Sequence, residues 1–395
     1  MRWPLVSLMV LAAASPVAAA QEPGVADLKV VAHLDLGTPG PHGDLAVAGS
    51  TAVVAAGACS NGPLTVVSLA DPRRPRVVAT IALPTGAAAI DLDGNRDTVA
   101  VALDPCRSGG TLLYDLARPA APELRTQAEG TVHAVAIAER RDGRRLVLSG
   151  TNQGVRITDV SDPANPSPEA VWTPPTRVPC GAVQPFEDGR RALAVCGDRV
   201  YELDLSSPSS PSLASTAPAA AGRPESAVGV LLSERTLAVV SEDALRVLEL
   251  QGGQDPREVA VLRSPANHPP GRVVASGELA FVAWRGGGLR VIDLGSPGMP
   301  AIARFVPPVP TPNVVAVALL PNHVVVTDAQ SGLWVVDRPK EGSKESGSDD
   351  VKVLLGALAV GGLLMFVVVP KVVSILSMAG QAATAPRRAA VRRAR

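Results

Sequence analysis

The chain has 395 residues, with 37 Lys and Arg against 37 Asp and Glu, and only 3% of its residues are aromatic. The zero net charge hides an asymmetry, because seven basic and no acidic residues lie in 1–20 and 371–395, which leaves about seven net negative charges between them. A mildly acidic body argues against a nucleic-acid-binding protein, which needs a basic face for phosphates. The 37 Pro and 36 Gly favour many short strands joined by turns.

The first 20 residues are typical of a secretory signal peptide. Arg2 precedes an apolar stretch from Leu5 to Ala14, and the three alanines at 18–20 offer small residues for a cleavage site. We therefore expect an exported protein.

One short string recurs seven times between the two ends of the chain. Its clearest form is Leu289-Arg-Val-Ile-Asp293, and its last polar residue, here named the anchor, recurs at intervals of 44 to 47 residues. The seven anchors are Ser68, Asp115, Asp159, Asp204, Glu249, Asp293 and Asp337. Such a constant period indicates a repeat architecture in which each unit packs against its neighbours.

Each repeat carries turn residues at fixed offsets from its anchor. Five anchors are followed by Pro at the fourth and seventh positions, as in Pro163 and Pro166, and proline cannot continue a hydrogen-bonded ladder. The fifth repeat has Gln-Gly-Gly-Gln at this point, so the pattern does not predict the turn that it forms. Four anchors have a glycine five residues before them, which predicts tight hairpin turns with positive φ. These glycines are Gly110, Gly154, Gly288 and Gly332.

The spacing within a repeat predicts four short strands, the number in one blade of a β-propeller. In the third repeat the expected strands are Ala134–Ala138, Arg145–Leu148, Val155–Val160 and Glu169–Trp172. The seventh repeat has no fourth strand after Asp337, whereas Leu28–Leu36 resembles a fourth strand placed ahead of the first repeat. We predict an all-β fold, a seven-bladed β-propeller over residues 25–338 that the N-terminal strand closes. An open solenoid is the alternative, but a split terminal blade has little use there.

The pattern L-x-V-x-D-[VL]-x-x-P-x-x-P resembles the LVIVD repeat of secreted or surface β-propeller proteins. The resemblance extends over nearly all of the chain between its two ends, and the fifth repeat departs from it most. It implies architecture and location. The family has no single activity, so the resemblance implies no chemistry.

Four cysteines in an exported chain predict disulfides. Cys180 and Cys196 flank the turn at 187–190 almost symmetrically, so we expect them to face each other across the first two strands of blade four. Cys59 and Cys106 each lie nine residues before their anchors, in equivalent turns of adjacent blades, where they can form a second bridge. Free buried thiols are the alternative.

The loops that lead into the innermost strands of a propeller meet at the mouth of its central channel, the usual ligand site. Alignment on the anchors places five candidate ligand-binding residues there, with Cys180 beside them. The five are His42, His133, Glu225, Arg272 and Asn313. Two His, a Glu and an Arg can hold a metal ion or an anionic ligand. Polar loop residues that bond only to backbone groups are the alternative interpretation.

A weaker metal candidate is a run of oxygen-bearing residues at alternate positions, as in calcium loops. It consists of Asp91, Asp93, Asn95 and Asp97. The run lacks the Gly and Glu of an EF-hand and coincides with a hairpin turn, so a polar turn is the favoured interpretation. We expect no cofactor, with calcium or another divalent metal as the alternative.

The C-terminal region contains a predicted transmembrane helix. Val353–Val369 is an uninterrupted apolar run of 17 residues, which at about 1.5 Å per residue approaches the thickness of a bilayer core. Two aspartates precede the helix and five arginines follow it, so the positive-inside rule places the propeller outside the cytoplasm, in the periplasm or on the cell surface. The expected domains are a signal peptide (1–20), a propeller (21–338), a flexible linker (339–350), a transmembrane helix (351–378) and a basic cytoplasmic tail (379–395).

Standard catalytic motifs are absent from the sequence, including Gly-x-Ser-x-Gly, His-Glu-x-x-His and the phosphate-binding Gly-Lys loop. We therefore expect a membrane-anchored protein-interaction scaffold at the cell envelope, with an envelope protein as its partner, the membrane contacted through the C-terminal helix, and no nucleic acid bound. A hydrolase or lactonase-like enzyme with a polar or metal site at the channel mouth is the alternative.

Overall fold

The computed structural model describes residues 24–37, 41–57, 60, 62–92, 98–103, 109–218, 228–233, 236–240, 244–251, 254–263, 268 and 270–340. Within these residues the regular structure is all β, in 29 strands from Ala26 to Asp337. The predicted signal peptide, transmembrane helix and tail lie outside the described residues, as does most of the predicted linker.

The strands form seven sheets, which are the blades. Two strands precede the first blade: β1 (Ala26–Asp27) and β2 (Val30–Leu34). Blade one contains β3 (His42–Ala48), β4 (Thr51–Ala56), β5 (Leu64–Ser68) and β6 (Arg76–Ile81). Blade two contains β7 (Ala87–Leu92), β8 (Thr98–Leu103), β9 (Gly110–Asp115) and β10 (Glu123–Glu129). Blade three contains β11 (Val132–Glu139), β12 (Arg145–Thr151), β13 (Gly154–Asp159) and β14 (Ser167–Trp172).

The remaining strands continue the same order. Blade four contains β15 (Cys180–Phe186), β16 (Arg191–Cys196), β17 (Arg199–Asp204) and β18 (Ser212–Pro218). Blade five contains β19 (Val228–Ser233), β20 (Thr236–Val240), β21 (Ala244–Gln251) and β22 (Gln254–Arg263). Blade six contains β23 (Val273–Ser276), β24 (Leu279–Ala283), β25 (Leu289–Asp293) and β26 (Ala301–Phe305). Blade seven contains β27 (Val314–Leu319), β28 (His323–Asp328) and β29 (Gly332–Asp337).

The blades are arranged as a closed ring. In each blade the successive strands pair antiparallel, and the first strand of each blade contacts the first strand of the next. The series ends where β27 contacts β3, which brings blade seven against blade one. The predicted seven-bladed β-propeller is therefore confirmed.

The N-terminal segment completes the ring. Strand β2 pairs antiparallel with β29 and becomes the fourth strand of blade seven, as predicted. His33 on β2 stacks on Trp334 of β29, with ring centroids 3.9 Å apart. Strand β1 was not predicted from the sequence; it pairs parallel with β26 and adds a fifth strand to blade six. The segment thus binds two blades in succession.

The core is divided into seven apolar clusters, one at each interface between adjacent blades. The anchored strand supplies residues to both of its interfaces, because successive strand residues point to opposite faces. In blade one, Leu64 and Val66, four and two residues before the anchor, pack against blade two. In blade two, Leu112 and Tyr114, three and one residues before the anchor, pack against blade one.

The anchor carboxylate caps the turn that follows its strand. The Oδ1 atoms of Asp115, Asp159, Asp204 and Asp293 each accept a hydrogen bond from the amide two residues later, at 2.7 to 3.0 Å. The proline four residues after the anchor then occupies the second position of a β-turn, as in the bond from Asn165 N–H to Asp162 O at 3.0 Å. The repeat motif is therefore explained by turn geometry.

Each outermost strand contains a β-bulge at the equivalent place. The pairing with the anchored strand skips one residue in all seven blades. The skipped residues are Val31, Val78, Arg125, Glu169, Ala214, Val259 and Ile302. Because a bulge bends a strand and interrupts its free edge, it discourages pairing with another chain.

The turn predictions hold in part. Gly154, Gly288 and Gly332 have φ values of 129°, 76° and 89°, as expected for the predicted hairpins. The prediction is wrong for Gly110, which begins β9 without a positive φ. There a Cβ would lie 2.7 Å from the carbonyl oxygen of Ala128, so close packing, and not the turn, requires glycine. In blade five, whose turn the pattern did not predict, β21 and β22 continue until Gln251 pairs with Gln254.

One predicted disulfide is present. Cys180 begins β15, Cys196 ends β16, and the two are register partners joined by a disulfide bond. Both residues are fully buried, and the bond closes the first hairpin of blade four. Cys59 and Cys106 lie outside the described residues.

Candidate functional site

Carboxylates line part of the central channel. The first strand of each blade has an edge that no strand pairs with, so its amides and carbonyls on that side need other partners. Asp44 on β3 accepts the N–H of Ile90 on β7 at 3.0 Å, and Asp91 on β7 accepts the N–H of Ile137 on β11 at 2.8 Å. Two consecutive interfaces are thus joined by a side chain at the innermost edge.

Arg272 connects blade six to the other side of the ring. It lies directly before β23, and its Nη1 donates to both oxygens of Asp44 at 2.7 and 2.8 Å. The same nitrogen lies 3.4 Å from the carbonyl oxygen of Ile90 in blade two. The guanidinium therefore joins blades six, one and two. Its side chain keeps 29% exposure, which leaves one face of the contact open to solvent.

The charges in this cluster stabilise one another. Burial lowers the pKa of Arg272, but the negative charges of Asp44 and Asp91 outweigh that effect and raise its pKa above the ordinary value. Burial raises the pKa of Asp91, and the charge of Arg272 and two backbone amides offset only part of the rise. An anionic ligand at Arg272 would have to compete with Asp44 for Nη1 of the guanidinium.

His42 lies in a buried position between blades seven and one. Its backbone N–H donates to the carbonyl oxygen of Ala329 at 2.8 Å, and the residue is only 6% exposed. Burial lowers the pKa of His42, and the charges of Asp35 and Asp328 offset only part of that decrease. Burial therefore favours the neutral form of the imidazole.

Asp328 organises the blade-seven side of the mouth. This fully buried carboxylate ends β28 and accepts hydrogen bonds from the amides of Asn313, Gln330 and Ser331, at 2.5 to 3.0 Å, and from the Ser331 hydroxyl. The predicted residue Asn313 thus contributes its backbone N–H to this network. Such a satisfied carboxylate fixes the loop that leads into β27.

The other described mouth candidates, His133 and Cys180, each have their partner within their own blade. His133 is the residue skipped by the pairing of β11 with β12, and its Nε2 lies 2.7 Å from Oδ1 of Asn152 in the same blade. Cys180 is in its disulfide, and Glu225 lies outside the described residues. His42 and Cys180 begin an innermost strand, His133 is the second residue of one, and Arg272 and Asn313 directly precede one.

Among the described residues, no group of three or more His, Cys, Asp or Glu side chains is arranged to hold a metal ion. In the calcium candidate, Asp91 is directed to the amide of Ile137, while Asp93, Asn95 and Asp97 lie outside the described residues. Metal binding by the predicted sets therefore stays a prediction.

Sequence reasoning missed two of the carboxylates that organise this region, Asp44 and Asp328. Asp44 is two residues after His42 within a strand of small apolar residues, and Asp328 follows four apolar or β-branched residues at the end of β28. A charged residue inside such a run is a usable signal, since a buried charge needs partners.

The comparisons with known proteins address the repeat itself. The family profile of the LVIVD repeat matches residues 271–305. These residues extend from just before β23 to the end of β26, so the match spans blade six as a unit. The chain is a seven-bladed β-propeller, and its sixth blade is similar to the LVIVD repeat. No curated protein matches the chain.

In the part of the chain that the structure describes, the propeller has no helix long and apolar enough to span a bilayer. The predicted span at 351–378 lies outside that part.

Proposed function

We propose that this seven-bladed propeller is a membrane-anchored, extracytoplasmic scaffold that binds another protein at the cell envelope. The observation that carries the proposal is the contact of Arg272 with Asp44. This contact places the protein's own ion pair at the innermost strands, where a propeller usually binds its ligand. Recognition is then left to the outer surfaces of the ring.

The outer rim offers a surface suited to protein contact. Six large aliphatic side chains of the described residues are 37% to 52% exposed, and every one lies on the outermost strand of a different blade. They are Val30, Val77, Leu124, Val171, Leu213 and Val259. Blade six contributes none, and its fourth strand, β26, is the strand that β1 covers. In a scaffold these side chains would supply the apolar part of a contact surface, one from each of six blades.

Two further features support the location. The Cys180–Cys196 disulfide is typical of an oxidising compartment, as expected for an exported domain. The apolar stretch at 351–378, followed by arginines, supports a single-pass anchor with a cytoplasmic tail. The acidic body supports a protein partner over a nucleic acid.

The test is crosslinking of the full-length protein in cells, followed by mass spectrometry of the proteins that co-purify. We expect one dominant envelope protein that is lost when residues 24–340 are replaced by an unrelated exported domain and retained when the tail at 379–395 is deleted. The replacement chain keeps the same predicted signal peptide and transmembrane segment, so it is the matched control. Enrichment of no protein above that control would contradict the proposal.

A further inference from the structure

The interface between blades two and three departs from the repeat at three aligned positions. Four residues before the anchor, blade two has Thr111, whereas the other six blades have Leu or Val. One residue before the anchor, blade three has Thr158, whereas the others have Val, Leu, Ile or Tyr. Opposite the residue three before the anchor, blade three has Ser149, whereas the others have Val or Ala. Three hydroxyl groups thus replace aliphatic groups at one interface.

Two of these hydroxyl groups meet in the interior. Oγ1 of Thr111 and Oγ of Ser149 are 3.2 Å apart, and the residues are only 6% and 2% exposed. One hydroxyl donates to the other, so the second O–H has no acceptor among the described residues. A buried donor without an acceptor is costly, and it marks a place where a ligand or water can bond.

A groove of about 480 Å³ opens above this pair, between the outer strands of the two blades. It exists partly because Ala128, the partner of Thr111 on β10, is small. Five other blades carry Leu, Ile, Phe or Trp at that position. Leu113, Val147 and Val171 give the groove apolar walls, and its size suits a small organic molecule.

Arg156 supplies a positive charge on the wall of the groove. Its Nη1 donates to the carbonyl oxygen of Glu129 at 3.0 Å, and none of the ion pairs among the described residues includes it. The carboxylate of Glu169, which also lines the groove, is already held by Arg144 at 2.9 Å. A guanidinium bonded to a neutral carbonyl can still accept a carboxylate partner.

We propose that this groove binds a small organic carboxylate with an apolar middle and a hydrogen-bonding group at its far end. The carboxylate pairs with Arg156, the apolar part packs between Leu113 and Val171, and the far group bonds to the hydroxyl pair of Thr111 and Ser149. The site lies between blades two and three, away from the channel, and does not depend on a protein partner.

The test is calorimetric titration of the purified full-length protein with 4-hydroxybenzoate, which has these three features. Benzoate lacks the hydroxyl and 4-hydroxybenzamide lacks the charge, and each is expected to bind about tenfold more weakly. Arg156→Gln is expected to remove the advantage of 4-hydroxybenzoate over the amide. The matched control is Arg246→Gln, at the equivalent position of blade five, where the arginine instead pairs with Glu258 at 2.7 Å.

A second variant fills the site with the residues found in other blades. Thr111→Leu with Ser149→Val restores the repeat pattern, so it should keep the thermal unfolding midpoint of the wild type and lose 4-hydroxybenzoate binding. Absence of saturable binding at millimolar 4-hydroxybenzoate would overturn the proposal and leave a water-filled groove. Binding that neither variant changes would overturn it as well, because the ligand would then lie elsewhere.

Discussion

At the scale of single residues, the anchor carboxylate of the repeat accepts hydrogen bonds from the turn that follows it. Burial raises the pKa of the Asp159 carboxyl, but hydrogen bonds from Ser161 and Arg144 outweigh it and hold the pKa below its ordinary value. The pKa of Asp204 is lowered chiefly by its hydrogen bonds from Ser206. The charged anchor therefore stabilises the fold, independently of any ligand.

Asp159 gives a direct test of this role. Asp159→Ala removes the bonds to Ser161 and Arg144 and is expected to lower the free energy of unfolding by about 1 to 3 kcal/mol, while Asp159→Asn keeps an acceptor for the turn and loses less. Since the folded pKa is depressed, the charge contributes above the unfolded pKa and its contribution is lost as the pH falls through the folded value. Urea unfolding at pH 7 and at pH 3 measures both effects.

The difference between wild type and Asp159→Asn should therefore shrink at the lower pH. The matched control is Asp198→Asn, at an exposed hairpin turn with no described hydrogen bond from its side chain. An equal loss for both Asp159 variants at both pH values would contradict the assigned role of the charge.

At the scale of elements, the ring depends on a strand borrowed from the N-terminus. Strand β2 covers the free edge of β29, and β1 pairs with β26 in the preceding blade. Arg304 of β26 adds an ion pair to Asp27 at 2.8 Å. Without this segment the edge of β29 would present unpaired amides and carbonyls to solvent.

Deletion of residues 21–36 is expected to lower the thermal unfolding midpoint by roughly 5 °C or more, because the pairing of blade seven and the stack of His33 on Trp334 are lost. Calorimetry or circular dichroism of the full-length variant measures the change. The control is deletion of residues 21–24, which precede β1. A peptide of residues 25–37 added in trans should recover part of the loss, and an unchanged midpoint would contradict strand closure.

The elements predicted correctly from the sequence are those whose residues recur at a constant spacing. The anchors and prolines gave the blades and the closing strand, because turn chemistry repeats at fixed offsets. Gly110 was misjudged because its requirement comes from a neighbouring carbonyl and not from its own turn. The pairing of Arg272 with Asp44 was beyond sequence reasoning, since 228 residues separate them and the alignment gives no distance across the channel.

Some residues differ in type from those at the equivalent positions of other repeats, and the alignment alone does not show what these differences do. Thr111, Ser149 and Thr158 were visible as polar residues at apolar positions. Only the register and the facing of each strand bring all three to one interface, where the groove lies.

At the scale of the whole molecule, the described residues form a closed ring whose interior is used by its own side chains. Seven apolar clusters join the blades, and Arg272 with two aspartates occupies the centre. Asp44, Asp91 and Arg272 link blades at the inner edge, and β1 and β2 link blades six and seven at the outer edge, an arrangement that suits a scaffold. Partner recognition is accordingly expected on the rim.

Site-specific photo-crosslinking in cells tests this account most directly. A photoreactive phenylalanine replaces Val77, Leu124 or Leu213 on the rim, and Asn152 or Gln330 beside the channel mouth, all of them exposed. The account predicts that rim positions capture one common envelope protein and that mouth positions do not. Capture from the mouth positions alone would contradict it and return the functional site to the channel.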